Sequence, residues 1–134
     1  MVTTVCELRE LATAACRACG ARAELTDALV EASLAADWAG RAEIGLAHLP
    51  DYLDGLQQGR IDGTALPLIE RPAPAAIRID LRGGIPQLGF AMALSDLVSA
   101  ARDLGIAVLT VHNGFTSGEL GHYARVLAGQ GLVA

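Results

Sequence analysis

Lysine is absent from this 134-residue chain; all ten basic residues are arginines, set singly along the sequence. That absence excludes a Schiff-base lysine and the amine with which a P-loop meets a nucleotide's phosphates. Concentrated positive charge is lacking too. Fifteen acidic residues leave a net charge of −5, which argues against a nucleic-acid surface. No apolar run approaches the ~18 residues that a membrane span needs. The first twenty residues carry Glu7, Arg9, Glu10 and Arg17, which interrupt a secretory signal pattern, so the expected location is cytoplasmic. Cysteine is scarce: Cys6, Cys16 and Cys19 fall in one short segment. An odd number without a signal peptide reads as reduced thiols.

Hydrophobic residues are plentiful at 52%, enough for one core in a single domain of this length. Residues 5–19 place Val5, Leu8, Leu11, Ala12, Ala15 and Cys19 at helical spacing, with Gly20 as the stop. Residues 23–39 repeat the pattern through Leu25, Ala28, Leu29, Ala32, Leu34 and Ala36, ending at Gly40. A third helix is predicted from about Pro50 to Gly59, with Leu49, Leu53 and Leu56 inward and Tyr52 beside them. Pro67, Pro72 and Pro74 then forbid a helix, so 62–74 is expected to be an extended connector. From 75 the period changes. Ala75–Asp80 alternates like a strand, Arg82-Gly83-Gly84 turns, and Leu88 to Leu104 is amphipathic up to Gly105. Ile106–His112 reads as a buried parallel strand, Glu119–Gln130 as a helix, and Leu132-Val133-Ala134 as the start of a third strand. The predicted class is therefore α/β. Helical residues 1–61 and the 62–74 connector precede a β-α-β-α-(β) unit with parallel strands over 75–134. The predicted sheet has unpaired edges, which soluble proteins normally cover; a second polypeptide or a second copy is expected to complete it.

Four groups of residues invite a chemical reading, and each has a plainer one. Cys16-x-x-Cys19 sits near a helix C-terminus, where the dipole raises a thiol pKa rather than lowering it. Zinc would need a further ligand pair, and His48, His112 and His122 stand singly. Structural thiols and no metal are expected. Gly83-Gly84-x-x-x-x-Gly89 follows a strand and opens a helix, but is neither G-x-G-x-x-G nor a P-loop. Turn and helix-packing glycines explain it. The loop His112-Asn113-Gly114 with Thr116, Ser117 and Gly118 lies at the C-terminal end of a predicted parallel strand, where α/β folds bind ligands; an ordinary polar turn would look the same. His48 and Tyr52 stand one turn apart and share a helix face, which a surface pair also satisfies.

Two stretches carry a resemblance. Residues 36–53 read Ala-Asp-Trp-Ala-Gly-Arg-Ala-Glu-Ile-Gly-Leu-Ala-His-Leu-Pro-Asp-Tyr-Leu, followed by Gly59-Arg60-Ile61. Residues 111–123 read Val-His-Asn-Gly-Phe-Thr-Ser-Gly-Glu-Leu-Gly-His-Tyr. The first resembles the A-D-x-x-G-x-x-S-H-G-V-x-R-x-x-x-Y signature of the malate/L-lactate dehydrogenase-type NAD(P)-dependent oxidoreductases, and the second their V-x-N-S-x-H-x-G-x-x-G-x-Y. The likeness runs over about residues 5–134. It implies a fold unlike the Rossmann domain, a dimer, a nicotinamide cofactor (NAD or NADP), and reduction of small 2-oxo or cyclic imino acids or oxidation of 2-hydroxy acids. The signature His handles the proton at the reacting carbon's heteroatom, and the signature Arg suits a substrate carboxylate.

This sequence keeps the frame and changes the reactive positions. Gly40, Gly45, Pro50, Tyr52, Asn113, Gly118, Gly121 and Tyr123 match. The signature Ser, His and Arg are Glu43, Ile44 and His48; the second motif's Ser and His are Gly114 and Thr116. The resemblance further implies that the main cofactor-contacting segments belong to a completing chain. Two expectations follow. In the first, the chain is a component of such an oxidoreductase, Glu43 carries the proton, and His48, Tyr52, Asn113 and Thr116 bind the small-molecule substrate. In the second, it is an inactive relative that binds a small molecule or a partner protein.

Overall fold

A computed structural model describes residues 4–134, and its first element is also its best-capped. Helix α1 (Val5–Ala18) opens with a reciprocal pair: the Thr4 hydroxyl accepts the Glu7 N–H at 3.2 Å, and the Glu7 carboxylate accepts the Thr4 N–H at 2.6 Å. Its buried line is Ala12 and Cys16; Leu11, expected inward, is 70% exposed, because the buried stripe runs through positions 12 and 16. Helix α2 (Ala23–Trp38) is the hub. Leu25, Leu29, Val30, Leu34 and Ala36 are all buried, and it packs against α1 and later helices. Gly40 takes φ +73 to end it, a left-handed value that glycine adopts without a Cβ penalty. Two single 3₁₀ turns, Ala42–Ile44 and Leu46–His48, lead into helix α3 (Leu49–Gln57), with Pro50 in its first turn.

The expected connector holds a strand. Strand β1 (Leu68–Ala73) pairs antiparallel with β2 (Ala76–Asp80), with an irregular register between Glu70 and Ala73. Pro72 is compatible with this because β1 is an edge strand and needs no donor on its free side. Helix α4 (Pro86–Leu104) crosses back, and β3 (Val108–His112) pairs parallel with β2. The sheet is thus mixed, in the order β1-β2-β3. The predicted parallel pair is present, and an antiparallel hairpin precedes it. Helix α5 (Leu120–Gly129) follows, and Leu132–Ala134 form no strand. One face of the sheet is covered: Ile77, Ile79 and Leu81 pack against Phe90, Ala93 and Leu97 of α4. The other carries the Arg78–Glu70 ion pair at 3.0 Å. β3 was expected to be buried. Instead Val108 and Val111 are 53% and 39% exposed, since only β2 flanks this strand. No helix among the described residues is long and apolar enough to cross a membrane.

The one buried thiol behaves as a packing group. Cys16 is fully buried and unpaired, and burial pushes its pKa up to about 11 from 9.0, with the nearby Cys19 adding to the rise. The folded state therefore favours the neutral thiol. That contribution is complete below pH 9 and is lost as pH rises through about 11. Thermal melts of the chain between pH 8 and pH 11 should show a falling midpoint, with a shallower fall in Cys16→Ala. An identical slope in the variant would show that the thiol carries none of it. In the same folded protein Cys6, which is exposed, should react with a thiol reagent at pH 8 long before Cys16.

Candidate functional site

The first motif is held by a carboxylate. Asp37, one residue from the end of α2, accepts the Leu46 N–H at 3.2 Å and so fastens the start of the second turn, two residues after Ile44. Gly45 is required beneath it: a Cβ there would overlap the Asp37 Oδ1 position and stand 2.7 Å from Asp37 Cγ and 3.0 Å from the Ser33 carbonyl. Gly45→Ala should cost about 1–3 kcal/mol, by displacing the carboxylate and leaving a part-buried N–H without its acceptor. With Asp37→Ala already made, the added cost should shrink. Urea unfolding of the two single variants and the double variant measures the coupling; strict additivity would mean that the two residues do not meet.

The second motif is the loop after β3, and Asp80 at the end of β2 organises its start. Its carboxylate accepts the Arg82 N–H at 2.9 Å and the Asn113 side-chain amide at 3.2 Å. These bonds, with His112 and Arg82 nearby, hold the Asp80 pKa below its usual value. Arg82 and Asn113 are the two non-glycine residues with left-handed φ, +52 and +55, among the described residues. The Asn113 carbonyl accepts the Gly83 N–H at 2.7 Å and the Gly84 carbonyl accepts the Phe115 N–H at 3.0 Å. Gly114 lies where a Cβ would overlap Leu81 Cδ1.

Tyr52 joins the two motifs. Its ring is 2% exposed, its hydroxyl donates to the Thr116 carbonyl at 3.1 Å, and it accepts the Gln87 amide of α4 at 2.9 Å. His48 meets the Tyr52 ring edge-on at 5.5 Å, Phe115 does so from another side at 5.6 Å, and Arg60 lies over Phe115. His48 also stands 3.7 Å from Asp51, which Arg60 approaches at 3.9 Å while pairing with Asp54. Tyr123 ties the loop's far side by donating to the Ser117 carbonyl at 2.7 Å. Burial raises the pKa of both tyrosines and lowers that of His122.

His48, Tyr52 and the Thr116 backbone are therefore one cluster, and Asn113 lies at the base of the same loop. Glu43 is exposed on its 3₁₀ turn and makes no hydrogen bond or ion pair among the described residues. The packing places no desolvating wall around its carboxyl. Gln87 was missed in the sequence, although a polar residue on an otherwise apolar helix face was its signal; its Oε1 is buried without a partner. Asp37 was noted as a motif residue, but the N–H it would cap was not foreseeable from spacing. No group of three or more potential metal ligands occurs among the described residues.

The sequence profile described as malate/L-lactate dehydrogenase matches residues 3–134. The chain is 34% identical over 115 residues to the Δ1-pyrroline-2-carboxylate/Δ1-piperideine-2-carboxylate reductase of Pseudomonas syringae pv. tomato, a stretch covering 86% of this chain and 34% of that protein. It is 30% identical over 128 residues to the (2R)-3-sulfolactate dehydrogenase (NADP(+)) of Chromohalobacter salexigens, covering 96% of this chain and 38% of that one. The crystal structure of the P. syringae Δ1-piperideine-2-carboxylate reductase is similar with a TM-score of 0.92 at 29% identity, over 98% of this chain and 40% of that one. Malate dehydrogenase from Pyrococcus horikoshii OT3 shares the fold, with a TM-score of 0.88 at 22% identity. The chain spans about a third of the length of the curated relatives it matches.

Proposed function

This chain belongs to the malate/L-lactate dehydrogenase family, and from that premise we propose that it is the substrate-side component of an NAD(P)-dependent oxidoreductase completed by another polypeptide. The substrate class is a small 2-oxo or 2-hydroxy acid or a cyclic imino acid. The observation that carries this reading is the Tyr52 bridge, which brings the two motif segments together at the C-terminal end of β3. The loops beyond the C-terminal ends of parallel strands in α/β sheets are where ligands bind.

In this reading Tyr52, which is buried, and Asn113, through its bond to Asp80, hold the loop. His48, when protonated, meets the substrate carboxylate, and the exposed Thr116 offers a hydroxyl. Glu43 is the remaining candidate for the proton. The Gly83-Gly84-x-x-x-x-Gly89 segment does not suit a dinucleotide's phosphates. A Cβ at Gly89 would stand 2.7 Å from Leu81 and 3.1 Å from Ile79, so that glycine seats α4 on the sheet instead of cradling phosphate. In this reading the completing polypeptide supplies the cofactor site.

Affinity purification of the chain from its native source should return a polypeptide carrying the rest of the family's sequence. The complex should oxidise NAD(P)H with Δ1-pyrroline-2-carboxylate or a 2-oxo acid, whereas the chain alone should show no low-micromolar NAD(P)H binding by calorimetry. A chain that purifies without such a partner, or that binds the cofactor alone, contradicts the proposal. The second reading, an inactive relative that works by binding, is favoured by one observation: Ile44 and Thr116 stand at both motif histidine positions.

A further inference from the structure

Strand β3 has two kinds of backbone position. The Val108 N–H donates to the Ala75 carbonyl at 2.8 Å, and the His112 carbonyl accepts the Leu81 N–H at 3.0 Å. In a parallel ladder, alternate residues of a strand bond to the same neighbour. With the register Ala76↔Val108 to Asp80↔His112, residues 108, 110 and 112 therefore face β2. The N–H and C=O groups of Leu109 and Val111 point the other way, where no strand lies among the described residues.

That open side is apolar. A groove of about 850 Å³ runs along it between α4 and α5, lined among others by Leu97, Ile106, Val108, Val111, Leu120 and Val133. Ile106 and Leu120 are 75% and 71% exposed. Soluble proteins do not leave an apolar strand edge of this kind bare. The P. syringae reductase reproduces 98% of this chain, and this chain covers only 40% of that one. Its remaining residues are the ones available to lie against this edge.

Resting on the function proposed above, we infer that the edge of β3 is the docking site for a strand of the completing polypeptide. The strand bonds to the backbone of Leu109 and Val111 and turns alternate apolar side chains into the groove. Its other side chains are polar, because they continue the sheet face that carries Glu70, Arg78 and Thr110.

The alternation makes the test specific. Val111→Pro deletes a free-edge donor and leaves the β2 ladder intact, since proline is tolerated on edge strands. Val111→Lys keeps the backbone donor and puts a charge into the groove, because the register sets the Val111 side chain on the same face as Ile79. Each variant and the unaltered chain are used as bait in the native-source purification, after circular dichroism and thermal melts have confirmed folding. The unaltered chain should return the polypeptide carrying the rest of the family's sequence, and recovery should fall at least ~10-fold with either folded variant. Equal recovery with Val111→Lys overturns the docking site while the proposed function stands, and should Val111→Pro not fold, Val111→Lys decides alone. Failure of the unaltered chain to return that polypeptide overturns the proposed function and this inference with it. Light scattering that shows a dimer for the unaltered chain and a monomer for both variants assigns the edge to a second copy, which also overturns the inference.

Discussion

Tyr52→Ala should lower the unfolding free energy by about 3–5 kcal/mol, the range for removing a large buried aromatic. The residue is 2% exposed and sits in the helical core with Leu25, Leu29, Leu49 and Ile85. Domains of this size are stable by roughly 5–15 kcal/mol, so this one truncation removes a large share. Two effects should separate in the conservative variant. Tyr52→Phe keeps the ring and its edge-on contacts with His48 and Phe115, and removes only the hydroxyl. The Thr116 carbonyl belongs to an exposed residue and can turn to water, whereas the Gln87 amide is buried and cannot. Its Oε1 already lacks a partner, so the whole side chain would be orphaned. A loss of about 1–3 kcal/mol is expected for Tyr52→Phe. Urea unfolding gives both values, and hydrogen exchange should show faster opening of residues 113–119 in both variants. A Tyr52→Ala chain within 1 kcal/mol of the parent would mean that the bridge does not hold the motifs together.

Much of the helical architecture was readable because glycines punctuate it. Gly20, Gly40, Gly59, Gly105 and Gly131 all adopt left-handed φ at or just beyond the helix ends, where the sequence placed its stops. β1 was missed for a physical reason. Its residues Leu68-Ile69-Glu70-Arg71-Pro72-Ala73 are mostly exposed, with charges and a proline that an edge strand accepts and a central strand would not. β3 was found but wrongly expected to be buried, since a β-branched apolar run reports what a strand prefers to pack against rather than what is present. The site divides in the same way. Motif spacing located Tyr52 and the 113–118 loop, but the Gln87 and Asp37 bonds depend on how α2 and α4 cross, which no local pattern encodes. Proximity in sequence was also a poor guide at Glu43, which neighbours the altered position yet faces solvent.

Ile44→His should raise kcat/KM of the completed assembly by about 10²–10⁴, the usual contribution of a positioned general acid or base. The family's reaction needs a proton delivered at the substrate's oxygen or nitrogen, and Ile44 can neither hold nor give one. It is half-buried at the end of the first 3₁₀ turn, two residues before the Leu46 N–H that Asp37 fastens, so an imidazole introduced there would stand beside an anchored backbone. The new activity should have a recognisable pH dependence. A histidine titrating near its ordinary value of about 6.5 donates only while protonated, so the rate of reduction should fall as pH rises through that value. Glu43→Gln in the same background should change little, because the introduced imidazole then carries the proton. The measurement is NAD(P)H oxidation with 2-oxo acids and cyclic imino acids across pH 5–9, for the parent, Ile44→His, Glu43→Gln and the pair. Robust turnover by the parent that Glu43→Gln abolishes would make Glu43 the proton carrier and end the inactive-relative reading. Turnover that begins only with Ile44→His would instead identify a disabled reductase, in which the Tyr52-braced loop is kept for binding.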